Sequence, residues 1–387
     1  MGIEFLGIAG LNDGGETQAR SGASFDKDYT LRFARAHEDN GWDRILFAYH
    51  SGSPDPATAA AFIASKLDHL KILLAHRPNV SYPTYAAKVF ATLDQISDGR
   101  LNVHFITRGS TADQAAEGDF LTKDQRYART GEYIRIVKQA WTDTSPFGFD
   151  GEHYRFENFV SDVWPSARRP AGGRPEVSFG GSSPAAYAIG AAEADIYAVW
   201  GEPLADTAEQ IQTIADAAAA AGRSARPRIQ AAFRPILGAT EELAWQKAHD
   251  ILGRIERRSG ALPANILGDL RNPENAGSQR LLSIAERGDR HDRALWTRPA
   301  AVSGGRGNSN ALVGTPETVA AALLDYVDLG VDILSARGYD FVDDTIDFGR
   351  YVIPIVRAEV ARRDAAAAAS ALADSEELAR KAHHDAA

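Results

Sequence analysis

The sequence predicts an α/β protein built as a (β/α)8 TIM barrel. Three observations predict it. Short apolar runs alternate with longer segments of helical period, the units number eight, and no self-similarity of roughly 20–50 residues points to a solenoid. An open, doubly wound sheet produces the same eight units, so periodicity leaves barrel closure undecided.

The elements follow in order. Ile3–Ala9 reads as the first strand, followed by a polar, glycine-rich stretch at Asn12–Thr17 and a helix near Phe25–Asn40. Strand Arg44–Phe47 leads into helix Pro56–Leu67, opened by a proline whose missing N–H costs nothing in a first turn. Strand Leu70–Ala75 precedes helix Thr84–Ile96, which Ser97-Asp98-Gly99 closes. Strand Leu101–Ile106 precedes a helix near Asp124–Trp141. The segment 143–175 breaks the rhythm with Gly, Pro and aromatic residues, and is predicted to be an excursion with a β-hairpin. Alternation resumes with strand Glu176–Phe179, helix Ser183–Ala192, strand Asp195–Trp200 and helix Ala205–Ala221. Strand Arg228–Leu237 and a helix near Glu241–Arg257 come next, and 258–314 reads as a long irregular insertion. Helix Pro316–Leu329, strand Val331–Ser335 and a final helix Val342–Val360 complete the count. Residues 1–362 are read as a single barrel domain, and the alanine-rich 363–387 as a tail, either a polar helix or a frayed extension.

Composition narrows the function. With 44% hydrophobic and 24% charged residues, the chain has ample material for a large core, which excludes dominant disorder. Forty-two basic against 52 acidic residues give a net charge of −10, which argues against a nucleic-acid or anionic-membrane binder. The absence of cysteine excludes disulfides, thiolate metal sites and thiol catalysis. No His/Asp/Glu spacing resembles a metal motif, no run reaches the length of a membrane span, and the start lacks the character of a secretory signal. A cytoplasmic location is the expectation.

In a barrel, chemistry sits at the C-terminal ends of the strands. Gly180-Gly181-Ser182-Ser183 lies at such an end, between strand and helix, where glycines admit close backbone approach and a helix N-terminus favours phosphate. A plain turn with Ser183 as N-cap explains it equally well. Four arginines, Arg108, Arg234, Arg306 and Arg337, fall on strand ends or in the long insertion, and a guanidinium fork suits sulfonate, phosphate or carboxylate. Each is individually as compatible with a loop-base salt bridge. Arg306 sits in Ser303–Asn310, whose composition suits a closing loop. His104 alternates with Asn102 and Ile106 toward the mouth, although a core histidine is the commoner role. Trp200 ends the sixth strand, where its ring suits either the core or the wall of a flat ligand.

Several blocks in order carry a resemblance. Arg77-Pro-Asn-Val-Ser-Tyr-Pro83 runs into Ala91-Thr-Leu-Asp-Gln-Ile-Ser-Asp-Gly-Arg100, followed by Gln125-Arg-Tyr127 and Ser178-Phe-Gly-Gly-Ser-Ser183. Trp200-Gly-Glu-Pro203, Ala311-Leu-Val-Gly-Thr-Pro316 and Gly338-Tyr339 complete the series. Together they resemble the bacterial-luciferase-like flavin-dependent monooxygenases, and most closely the alkanesulfonate monooxygenase branch.

The resemblance implies a two-component enzyme that takes reduced FMN from a separate NAD(P)H-dependent flavin reductase and uses O2 to convert a small organosulfonate to an aldehyde and sulfite. It also implies a homodimer or homotetramer. It assigns the flavin phosphate to Tyr127, Ser182 and Ser183, and the cofactor's surroundings to Thr107, Gly180, Gly181 and Trp200. Arg306, Arg234, Tyr339 and His104 are the expected catalytic set, with the arginines holding an anion and Tyr339 donating a hydrogen bond beside the flavin. The chain departs from the branch at Ala232-Phe233-Arg234, where the sulfonate enzymes carry Arg-x-His. It also has His104 for the usual Asn, and non-thiol and non-histidine residues near Ser53 and Asn12–Asp13. These changes leave open a sulfone, thioether, amine or aldehyde substrate, or a flavin-binding barrel without catalysis.

Overall fold

The computed structural model describes residues 2–107, 111–169, 173–260, 273–305 and 310–384. Eight parallel strands among them close into a barrel. These are β1 (Glu4–Ile8), β2 (Arg44–Phe47), β3 (Lys71–His76), β4 (Leu101–Phe105), β7 (Val177–Gly180), β8 (Ile196–Trp200), β9 (Arg228–Leu237) and β13 (Ile333–Ala336). Closure, undecided by periodicity, is made by β8 against β9, with Ile196 opposite Arg228 and Trp200 opposite Ala232. β13 then joins β9 to β1.

Strand alternation sets the two faces. Phe5, Ile45, Ile72, Leu74, Val103, Phe105, Val177, Phe179 and Tyr197 pack outward into the main core beneath the helices. Leu6, Leu73, Ile196 and Ile333 form a separate buried cluster that plugs the interior. Farther along the same inward rows stand Ala75, His104, Ala198, Gln230, Ala232 and Ser335, small or polar residues that line an open space. The position of the cavity is therefore a consequence of residue size along the inward rows.

Local sequence explains the helices that follow. α2 (Pro56–Ala64) starts behind Asp55, whose carboxylate accepts from the Thr58 amide at 2.7 Å. α5 (Lys123–Thr142) opens on a capping box of Thr122 and Gln125. α6 (Pro184–Glu193) is capped by Ser183, whose hydroxyl accepts from the Ala186 amide at 3.3 Å.

Three readings need correction. The insertion 258–314, expected to be irregular, contains helix Ala276–Arg287, strands β10 (Arg290–His291) and β11 (Leu295–Trp296), helix Arg298–Ser303 and β12 (Ala311–Gly314). These strands are two to four residues long, too short for a period to register; β12 pairs onto the outer half of β9, β11 onto β12 and β10 onto β11. The final helix is two, Phe341–Tyr351 and Ile353–His384, because Pro354 has no N–H to continue the ladder. A short helix at Thr111–Ala116, α4, was not expected. The hairpin excursion is present as β5 (Phe147–Asp150) against β6 (Arg155–Phe159).

The opposite end of the barrel is tied by charge. Glu4 at the start of β1 meets Arg44 at 2.7 Å, Lys71 at 2.6 Å and Arg228 at 2.6 Å, and Arg44 also reaches Glu176 at 2.8 Å. Burial alone would raise the Glu4 carboxyl, but the three cations outweigh it and hold it at about 2. Glu4→Gln is expected to lower unfolding free energy at neutral pH by about 3 kcal/mol, because it leaves buried cations under-compensated. Since the folded value lies below the ordinary 4.5, this stabilisation is complete above pH 4.5 and fades as pH falls toward 2. Urea midpoints of wild type and variant should therefore converge across that range. A constant gap would refute the assignment.

Candidate active site

Two cavities meet at the C-terminal ends of the strands, sharing Ala48 and Arg337. The inner one, about 350 Å³, lies within the barrel mouth between β4, β7 and β8. The outer one, about 640 Å³, lies over β1, β9 and β13. Both volumes fall in the range of small-molecule sites.

The inner cavity gathers most of the residues expected around a cofactor. His104, Thr107, Gly180, Gly181, Ser182 and Trp200 all line it. His104 Nδ1 is 2.8 Å from Ser178 Oγ, which orients the ring. Thr107 donates its hydroxyl to Thr130 at 3.0 Å, and its carbonyl accepts from Gln114 at 3.2 Å. The Trp200 ring stands against the start of helix Ala276–Arg287, where a Cβ on Gly277 would come within 3.1 Å of it. The glycine turn is sterically committed. A Cβ on Gly180 would sit 2.7 Å from the Ala198 carbonyl oxygen, and one on Gly181, at φ +146°, would sit 2.8 Å from the Ala186 methyl. Tyr197 donates to the Gly181 carbonyl at 2.7 Å, and the Tyr127 hydroxyl lies 3.5 Å from where a Gly181 Cβ would be. Ser183 is occupied as the cap of α6, whereas Ser182 donates to Gln210 Oε1 at 3.1 Å.

The outer cavity carries charge. Arg20, Arg234, Arg258 and Arg337 line it, and Glu16 is the one carboxylate lining it among the described residues. Arg234 is 2% exposed and faces the protein. Its Nε donates to the Arg337 carbonyl at 2.7 Å, Nη1 to Glu16 at 3.0 Å and Nη2 to the Gly338 carbonyl at 3.1 Å. Its guanidinium lies 3.9 Å from the centroid of the Tyr339 ring. Arg337 also donates to Glu16, but its Nε is buried without a partner among the described residues, as is the Tyr339 hydroxyl.

Electrostatics follow from that geometry. Burial would raise the Glu16 carboxyl, yet Arg234 and Arg337 outweigh it and hold it at about 2. Burial, with neighbouring Arg234, brings Arg337 down to about 10, still charged at neutral pH. Burial raises the Tyr339 hydroxyl, which keeps its proton and remains a donor. Two guanidinium groups against one carboxylate leave a local excess of one positive charge, with two buried donors unmatched.

The structure divides the expected site residues between these spaces. His104 belongs to the inner cavity, Arg234 and Tyr339 to the outer one. Arg306 and Arg108 lie outside the described residues. Sequence reading missed Glu16, although its glycine-rich loop marks a strand end, because its partners are 218 and 321 residues away. It also missed Gln210, which has no local signal on its helix.

Asp344 positions Tyr339. Its Oδ2 accepts from the Tyr339 and Asp340 amides at 2.7 and 2.9 Å, and Oδ1 meets Lys247 at 2.7 Å. Asp344→Ala would orphan two amides and an ammonium, and should cost roughly 2–4 kcal/mol in urea denaturation. An unchanged midpoint would show that the Tyr339 turn is held by other means.

Solved structures share this architecture. A riboflavin lyase (RcaE), solved with modified FMN and riboflavin, superposes with a TM-score of 0.73 at 20% identity over 93% of this chain and 92% of its own. The EDTA monooxygenase EmoA from Chelativorans sp. BNC1 gives 0.72 at 18% identity, covering 93% of this chain and 94% of its own. DmoA from Hyphomicrobium sulfonivorans gives 0.72 at 19%, covering 93% and 89%. At these identities the likeness shows the fold. The family-level match is broader in kind: the pattern of the luciferase-like monooxygenases fits residues 6–333, most of the chain, and the protein belongs to that family.

Proposed function

We propose that the protein is a reduced-FMN- and O2-dependent monooxygenase of a small organic anion, with an organosulfonate as the first candidate. The observation that carries the anionic substrate is the outer cavity, where four arginines face one carboxylate in a chain of net charge −10. A neutral or cationic substrate would leave that excess unmatched.

The inner cavity fits the cofactor. Gly180 and Gly181 line that cavity with backbone that no side chain covers, and a Cβ on either would strike the Ala198 carbonyl or the Ala186 methyl. Buried polar atoms without partners among the described residues, Gln230 Oε1 and Gln210 Nε2, stand at or behind its wall. His104, Thr107 and Trp200 would hold the flavin ring, with Tyr127, Ser182 and Ser183 toward the phosphate at the start of α6. Reduced FMN, when bound, supplies the two electrons and the place at which O2 reacts.

The chain's own residues then bind, orient and shield. Arg337 Nε and the Tyr339 hydroxyl offer the anion two buried donors, while Arg234 and Glu16 hold them in place. Arg337 lines both cavities, so an anion bound to it lies at the entrance to the flavin space. Asn275 and Gly277 at the head of helix Ala276–Arg287 wall part of the inner cavity. For a sulfonate, net turnover would break the C–S bond and one C–H bond, place one oxygen atom of O2 in the aldehyde and release sulfite. The other oxygen atom would leave as water, the reduced cofactor supplying the two electrons this requires. A separate flavin reductase supplies the cofactor, and a homo-oligomer is the expected assembly.

The test is sulfite release from a panel of alkyl, hydroxylated, sugar and aromatic sulfonates with FMN, NADH, a generic reductase and O2. Sulfite from at least one, dependent on reduced FMN, is expected. Flavin binding with no sulfonate oxidised would move the substrate to another class. Arg337→Gln should raise KM for the anion by about 10-fold or more with a smaller change in kcat, as loss of a charged hydrogen bond requires. An unchanged KM would remove Arg337 from the substrate site.

A further inference from the structure

Gln210 lies on α7 (Leu204–Ala220) and is 1% exposed. Its carboxamide faces the glycine turn, with Oε1 accepting from Ser182 Oγ at 3.1 Å and from Tyr187 Oη at 3.0 Å. Nε2 is buried and has no partner among the described residues. Ser182, Tyr187, Gln210 and Arg280 line a groove of about 700 Å³ between α6 and α7, and Ser182 is also part of the inner cavity wall. Arg280 is already engaged, held by Glu202 through contacts of 2.8 to 3.2 Å.

This arrangement is unsuited to an anion as it stands. A hydroxyl has one proton, and both Ser182 and Tyr187 spend theirs on Gln210 Oε1. A phosphate presents acceptors only, so it would meet lone pairs, while the amide hydrogens of Nε2 remain unused. A half-turn of the carboxamide reverses both, leaving Oε1 instead of Nε2 in the position without a partner among the described residues. Nε2 then offers one hydrogen to each hydroxyl oxygen, and both hydroxyl protons are released. Oxygen and nitrogen are nearly the same size, so the exchange disturbs no packing.

We propose that Gln210 is a positioning residue for the cofactor's phosphate, one that donates to Ser182 Oγ and Tyr187 Oη and thereby turns both hydroxyl protons toward the phosphate at the N-terminus of α6. The inference rests on the reduced-FMN reading above. It identifies Gln210 and Tyr187 as the support through which Ser182 distinguishes a phosphorylated flavin from one without phosphate.

The experiment is an anaerobic titration of the full chain with reduced FMN and with reduced riboflavin, followed by protein fluorescence. The measured quantity is the ratio of the two affinities. In wild type, FMN binds more tightly. Gln210→Glu preserves shape and accepts from both hydroxyls but cannot donate, so the ratio should fall by about 10-fold or more while riboflavin affinity is unchanged. Added negative charge could produce the same fall, and a double-mutant cycle separates the two causes. In a Ser182→Ala/Tyr187→Phe background, Gln210→Glu should have little further effect, whereas a direct charge effect would persist and overturn the proposal. An unchanged ratio in the single variant overturns it as well. Should Gln210→Glu not fold, Gln210→Leu removes the donor that orients both hydroxyls and should lower the ratio, by less than an acceptor at that position does; an unchanged ratio there would refute the role. If wild type binds neither flavin, the reduced-FMN reading itself falls, a result distinct from binding both with an unaltered ratio.

Discussion

Strand β9 is the element on which the mouth of the barrel depends, because its ten residues belong to two sheets. Its first half closes the barrel between β8 and β13, through Arg228–Ala232 on one side and Gln230–Phe233 on the other. From Arg234 to Leu237 it pairs instead with β12, outside the barrel. Arg234 stands at the changeover, its amide donating to the Asn310 carbonyl at 3.1 Å and its side chain to the carbonyls of Arg337 and Gly338. Asn310 in turn donates to the Gly201 carbonyl at 2.8 Å. The ends of β8, β9, β12 and β13 are therefore one hydrogen-bonded assembly, and the cavity above them inherits its rigidity.

That assembly can include a buried guanidinium only because the charge is matched nearby. An isolated buried ion carries a desolvation penalty of several kcal/mol, and removing one partner from a compensated set exposes it. Glu16, from the loop after β1, supplies the match to Arg234 and Arg337 together. One carboxylate cannot neutralise two guanidinium groups. The remainder is useful for recognising an anion, since it is fixed in a low-dielectric setting where a ligand's charge counts for more than it would at the surface. The carbonyls that satisfy Arg234 belong to the turn that carries Tyr339, so the buried cation and the free phenol are placed by the same few atoms.

The fold was largely legible in the sequence, and the reasons are local. Proline at the first helical position, an Asp or Thr cap and inward–outward alternation of apolar residues marked the eight units within a residue or two at most of their ends. Arg44–Phe47 and Arg228–Leu237 coincide with their strands. Closure was not legible, because it is a pairing between β8 and β9 that no single segment records. The strands of the insertion were invisible for a related reason: Ala311–Gly314 has strand form only because β9 offers it an edge. At the site, residue type identified the arginines and the glycine turn. It could not show that Arg234 faces inward to the protein while Arg337 keeps an Nε unmatched among the described residues, since that difference is set by Glu16 far along the chain.

The two cavities have opposite chemical demands, and the boundary between them is where the demands meet. The inner one is walled by Ile8, Leu46, Leu73, Ala75 and Val199, which favour an apolar ring; the outer one holds fixed charge. Arg337 is common to both. On the proposed reading, an anionic head drawn to its guanidinium would leave the rest of a small substrate one direction free of competing charge, inward, over the apolar wall. Small residues at Ala48, Ala198 and Ala232 keep that passage open, because a larger side chain on any of those inward rows would fill the cavity. Orientation of such a substrate would thus follow from where charge is buried and where it is absent, with position supplied by the barrel and reactivity by the cofactor proposed for the inner cavity.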